Sequence, residues 1–125
     1  MKKLDMLMLA GVMAAQPMKY VEKPWGNELW IAVNDKYAMK KLTVLAGHSL
    51  SLQYHEEKME TMYCVEGKGH LELNEVNIPM VPGVHVTINP KDVHRLSAVE
   101  DLTIIECSTP ELDDVVRLED NYDRL

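Results

Sequence analysis

Gly47-His48-Ser49-Leu50-Ser51-Leu52-Gln53-Tyr54-His55-Glu56-Glu57-Lys58-Met59-Glu60-Thr61-Met62-Tyr63-Cys64-Val65-Glu66-Gly67 is the stretch whose reading decides the fold. Gln53 and His55 stand two apart. On an extended strand their side chains leave the same face. Glu60 follows after a polar, turn-rich run. An amide oxygen, an imidazole and a carboxylate can then converge from neighbouring strand ends, which is three-quarters of a mixed N/O metal site. A fourth ligand has to come from elsewhere in the chain.

The composition bounds the rest. A chain of 125 residues, 46% hydrophobic and 26% charged, implies a single domain with one modest core. Its net charge of -7 argues against nucleic acid or an anionic membrane as the main partner. An anionic small molecule stays open, because a local cluster of Lys and Arg overrides the global field. Cys64 and Cys107 sit in apolar runs without a CxxC partner, so both are expected as buried free thiols.

Outward from the opening stretch, short strand-like runs recur between Gly, Pro and Asn turns. Leu29–Val33, Tyr37–Leu45, Ser49–Tyr54, Glu60–Glu66, His70–Leu73, Glu75–Ile78, Val84–Ile88, His94–Ala98 and Leu102–Cys107 are the expected strands. In Val84–Ile88 the apolar positions Val84, Val86 and Ile88 alternate with His85 and Thr87. Many short strands at even spacing predict an all-β sandwich or barrel. The acidic tail from Glu111 reads, on composition, as a solvated terminus with one short strand. Residues 1–17 differ from the rest: a basic start, an apolar run and small residues resemble a weak secretory signal, with Asp5 out of place. A packing segment is the preferred reading, and Met18 as the natural start is a further one. The expected organisation is an N-terminal extension over residues 1–17 and one domain over residues 18–125.

His94 supplies the missing ligand. It opens a strand directly after the turn Asn89-Pro90-Lys91-Asp92. If Val84–Ile88 and His94–Ala98 form a hairpin, His94 faces the end where Gln53 and His55 emerge. A Gln-His-Glu-His set leaves coordination positions open, as a catalytic metal requires. His48, His70 and His85 read as solvent-facing or structurally satisfied.

These residues resemble the cupins. The first cupin motif runs Gly, His, His, Glu, Gly; here Gly47, Gln53, His55, Glu60 and Gly67 keep every spacing, with Gln at the first His position. The second motif keeps Gly83 and His94, while Asn89, Lys91 and Ala98 replace its Pro, Gly and Asn. Within the cupins the chain is similar to the type II phosphomannose isomerases over roughly Lys23 to Arg124, through Lys23-Pro24-Trp25-Gly26, Leu50–His55, Val93–Leu96 and Asp114–Arg124. The likeness implies a double-stranded β-helix, a jelly-roll barrel, with an ordered tail. It also implies reversible isomerisation of mannose 6-phosphate and fructose 6-phosphate, and one divalent metal per chain. Zinc is the first expectation; Mn, Fe, Ni or Co also suit the donors. A sugar phosphate as partner, a homodimer and a cytoplasmic location follow as expectations. Lys58 stands where the family has Arg, and Thr61-Met62 where it has His-Trp.

Such chemistry needs a base to move a proton between neighbouring carbons and a cation to hold phosphate. Lys40 shares a strand face with Leu42 and Val44, and Glu106 shares one with Leu102 and Ile104, so both are expected to point inward. They either pair with each other or serve catalysis, Glu106 as base and Lys40 as a catalytic and substrate contact. Arg95 and Lys58 are the other substrate-binding candidates, although Arg95 falls on the strand face opposite His94. A non-catalytic metal-keeping cupin that binds a sugar, and an iron-dependent oxygenase, stand as the rival readings.

Overall fold

The computed structural model describes residues 18–125, so the expectations for residues 1–17 lie outside the described part. Eleven strands follow in order: β1 (Lys19–Lys23), β2 (Gly26–Val33), β3 (Ala38–Val44), β4 (Leu52–Tyr54), β5 (Glu60–Glu66), β6 (Gly69–Leu73), β7 (Val76–Met80), β8 (His85–Ile88), β9 (His94–Ala98), β10 (Leu102–Ser108) and β11 (Val116–Glu119). They form two antiparallel sheets, ordered β1-β2-β3-β10-β5-β8 and β11-β4-β9-β6-β7. The sheets face each other as the expected all-β barrel. No helix among the described residues is long and apolar enough to cross a membrane.

Alternation places the core. In β3, Ala38, Lys40, Leu42 and Val44 are buried and their neighbours are not; in β10 the same holds for Leu102, Ile104, Glu106 and Ser108. Met62 and Cys64 from β5, Leu71 from β6 and Leu96 and Ala98 from β9 complete the apolar packing. One consequence corrects the cysteine reading. Glu106 faces inward, so Cys107 must face out; it is free and exposed, while Cys64 is free and buried.

Turn chemistry fixes the register. The β6–β7 hairpin closes on Asn74 and Glu75, both at positive φ (46° and 70°), which suits a two-residue hairpin turn. The strand therefore begins at Val76 and not at Glu75. Gly67 sits at φ 94°, and a Cβ there would collide with the Asp101 carbonyl, so the motif's last glycine is a steric requirement.

Two further expectations change. β8 and β9 form no hairpin ladder: β8 pairs with β5, and β9 with β4 and β6. The connection crosses from one sheet to the other, yet it still delivers His94 to the right end. The tail, on composition a solvated terminus with one short strand, is ordered as the family likeness implies, and its strand β11 pairs with β4. β1 lay outside the expected strands; its polar, exposed pattern hides an edge strand paired along β2.

Candidate metal centre

Three buried side chains meet at one end of the barrel interior: His55, Glu60 and His94. Each comes from a strand end. His55 follows β4, Glu60 opens β5 and His94 opens β9. Glu60 Oε1 lies 3.2 Å from His55 Nε2 and 3.1 Å from His94 Nε2. The two rings stand 5.1 Å apart between centroids, tilted by 51°.

The other ring nitrogens decide what this cluster is for. His55 Nδ1 donates to the Asp114 carbonyl at 2.5 Å, and His94 Nδ1 donates to the Asp92 carbonyl at 2.9 Å. Carbonyls accept only, so each Nδ1 carries the proton. In neutral rings both Nε2 atoms then hold lone pairs, pointed at a carboxylate. His94 Nε2 is buried without a hydrogen-bond partner, and Glu60 Oε2 meets only the Lys58 ammonium, at 3.3 Å. Converging acceptors with an orphaned buried atom are unfavourable unless a cation sits among them. The donor set therefore fits a divalent metal, held by His55 Nε2, Glu60 and His94 Nε2. Gln53 is the neighbouring donor: it pairs with His94 across β4 and β9, and its Oε1 accepts from Ser51 Oγ at 3.1 Å with one lone pair left.

Glu106 and Lys58 stand beside this cluster. Lys58 Nζ is 3.3 Å from Glu60 Oε2 and 4.0 Å from Glu106 Oε1. Burial, then the charge of Glu60, push the Glu106 carboxyl well above the usual range; Lys58 and Lys40 offset this only in part. Burial opposes ionisation of Glu60 too. A hydrogen bond from the Glu106 carboxyl and the charge of Lys58 outweigh it there, and hold Glu60 well below the usual range. Adjacent carboxyls thus divide into an acid that keeps its proton and an ion that does not. Burial works against the Lys58 charge, but Glu106 and Glu60 outweigh it and raise its pKa.

The Lys40–Glu106 pair, one of the two readings of these residues, is not formed, although the two are register partners across β3 and β10. Lys40 Nζ turns to Glu28 Oε1 at 3.6 Å and lies over the Trp30 ring at 4.5 Å. Lys23 reaches the same carboxylate at 3.9 Å. Lys40 still lines the pocket, as a wall cation that already has a partner.

Arg95 is a correction. Its guanidinium lies on the face opposite His94, bonding Leu50 O at 3.0 Å and lying 3.4 Å from both Glu119 and Asn121. It fastens the tail and does not line the pocket. His48 bonds the Tyr122 hydroxyl at 2.8 Å, and His85 is exposed, as read from the sequence. Thr61 points outward to Thr87, so of the Thr61-Met62 departure only Met62 lines the pocket.

Three contributors escaped the sequence reading. The Asp114 carboxylate accepts the amides of Glu56, Glu57 and Lys58 at 2.7–2.9 Å, fixing the loop between His55 and Glu60. Asn74 bonds the amide of Val93 and the side chain of Asp92, steadying the approach to His94. Arg117 lines the pocket from β11, where it is the register partner of Gln53. Asp and Asn at turns signal local caps, but no local pattern signals contacts this distant in sequence. A cavity of about 320 Å³ reaches the cluster at His55, with Gln53 beside it, and is walled by Lys23, Glu28, Lys40, Lys58, Glu106 and Arg117 among others.

Comparison with known proteins is consistent with this geometry. Residues 11–120 match the family model described as mannose-6-phosphate isomerase C-terminal. Mannose-1-phosphate guanylyltransferase ManC of Salmonella typhimurium is 31% identical over 115 residues, which is 84% of this chain but 23% of that protein. The chain thus spans about a quarter of the length of such relatives. KdgF from Halomonas sp. superposes with a TM-score of 0.70 at 19% identity, covering 76% of this chain and 88% of that one. An RmlC-like cupin from Shewanella frigidimarina gives 0.70 at 15% identity, with 77% and 86% covered.

Proposed function

Since this chain belongs to the mannose-6-phosphate isomerase C-terminal family of cupins, we propose that it is a metal-dependent aldose–ketose isomerase acting on mannose 6-phosphate and fructose 6-phosphate. The observation that carries the proposal is the placement of Glu106 and Lys58 against Glu60, beside a buried His55–Glu60–His94 cluster that a polar cavity reaches at His55 and Gln53.

A divalent metal held by His55, Glu60 and His94, with Gln53 adjacent, supplies Lewis-acid polarisation of the sugar oxygens. The chain's own groups account for the rest. Isomerisation removes a proton from C2 of the aldose and returns one to C1, while the hydroxyl proton passes from O2 to O1. Glu106 suits the carbon proton. Its raised proton affinity, set by burial and by Glu60, suits a group that takes a proton from one carbon and returns it to the next. Lys58 keeps its charge between the two carboxyls and can donate to a sugar oxygen. Leu42, Leu50 and Met62 line the same space and keep part of it apolar, which strengthens those polar contacts.

The test is a coupled assay of mannose 6-phosphate conversion with bound metal measured in parallel. Wild type should turn over and lose activity with chelator. Glu106→Gln should keep its metal and its fold but lose about 100-fold or more in kcat, the usual worth of a general acid–base. A fully metallated chain without turnover sinks the proposal.

A further inference from the structure

Arg117 is the cavity wall's uncompensated cation. Arg124 is countered by Asp120, with bonds of 2.9 and 2.7 Å. Lys23 and Lys40 share the single carboxylate of Glu28. Arg117 has no carboxylate within salt-bridge distance among the described residues, and its Nε is buried without any hydrogen-bond partner. A buried guanidinium nitrogen left unpaired is unfavourable unless something not in the chain accepts from it.

Register says where such an acceptor would lie. Arg117 is opposite Gln53 on β4, and Gln53 is opposite His94 on β9. Side chains directly across a ladder share a face, so Arg117, Gln53 and His94 form one inward row over three strands. Two inter-strand steps of about 4.8 Å separate the backbone of Arg117 from that of His94. Lys23 and Lys40 look into the same cavity from the other sheet. An anion between these walls is met from two sides, and the forked donors of arginine match a phosphate's oxygens.

We propose that this wall is a phosphate subsite, with Arg117 as its principal contact, holding the far end of a phosphorylated sugar whose reacting carbons lie at Glu106. The inference rests on the isomerase reading for the identity of the sugar, but not for the anion site itself. One residue then sets both affinity for the phosphate and the direction in which the sugar chain lies.

The test titrates inorganic phosphate into the full chain by calorimetry, once metal-loaded and once after chelation. The expected result is binding in both states, weakened about 10- to 100-fold in Arg117→Gln and partly recovered in Arg117→Lys. In the assay, KM for mannose 6-phosphate should rise by a similar factor in Arg117→Gln, with kcat changed much less. Melting curves and metal content of both variants report whether the fold survives, and Arg117→Lys carries the test if Arg117→Gln does not fold. Phosphate binding that ignores Arg117, or that needs the metal, overturns the subsite even in an active isomerase. Arg117-dependent phosphate binding in a metal-loaded chain without turnover keeps the subsite and removes the isomerase reading. Absence of both binding and turnover overturns the two together.

Discussion

The barrel has two interiors that share the same strands. Along the inner face, β10 runs Leu102, Ile104, Glu106, Ser108, and β3 runs Val44, Leu42, Lys40, Ala38 alongside it. β5 sets Cys64 opposite Ile104, Met62 opposite Glu106 and Glu60 opposite Ser108, so the buried charges begin at the Glu106 level and continue one step beyond it. One pleat of about 6–7 Å along each strand separates a fully apolar packing level from a level of buried charges. The apolar level can only stabilise. The charged level holds an orphaned acceptor and opposed carboxyl pKa shifts, which no fold needs for its own sake. The difference teaches that alternation decides inside from outside, while register decides at which height the chemistry gathers.

The strongest way to break that comparison is to truncate the two levels of one strand. Ile104 is fully buried in the core, so Ile104→Ala should lower unfolding stability by about 2–5 kcal/mol. Denaturant titration should show an earlier midpoint with an unchanged slope, and metal per folded chain should stay constant. Glu106→Gln, two residues along on the same face, should do the reverse, losing turnover while the midpoint moves little. Equal stability losses in the two variants would erase the distinction between the levels.

A smaller effect should come from the loop that joins the levels to the tail. Asp114 holds three amides between His55 and Glu60 and presents its carbonyl to His55 Nδ1. Removing the carboxylate frees the loop that sets the ligand spacing. Asp114→Ala should weaken metal binding about 10- to 100-fold, as loss of a supporting ligand contact does, measured by competition with a chromophoric chelator. Asp114→Asn should recover part of it. An unchanged affinity in Asp114→Ala would mean that the strands alone position His55.

Much of this was legible in the sequence because it is local. The spacing of His55 and Glu60 and the single residue His94 pointed to three side chains that meet in the structure, and alternation alone turned Lys40 and Glu106 inward. What failed was pairing between distant segments. Alternation could not say that Lys40 would choose Glu28 on one neighbouring strand over Glu106 on the other. Nor could it say that β8 and β9 part into different sheets. Lys58 lies in a loop, where no period applies, yet its side chain is buried beside Glu60. Arg117 could not be placed until β11 had a register, because composition described its segment as a solvated tail.

The smallest effect sharpens the comparison at the rim of the charged level. The Arg124 side chain, by hydrogen bonding, holds the Asp120 carboxyl down from 3.8 to about 2, against the opposing effect of burial. A lowered pKa in the folded state means that the ion favours folding. The stability it contributes is fully present above the unfolded value of 3.8 and is lost as pH falls through about 2. Arg124 covers the carboxylate, but the pair lies near the molecular surface, so screening should keep its worth below about 1 kcal/mol. Melting temperatures of wild type and Asp120→Asn should therefore differ by a small, constant amount from pH 7 down to about 5. The gap should close between pH 4 and 2. A gap that persists to pH 2 would show that Asp120 acts through the shape of the tail turn and not through its charge, since the Asp120 carboxyl also accepts the Arg124 amide at 2.8 Å.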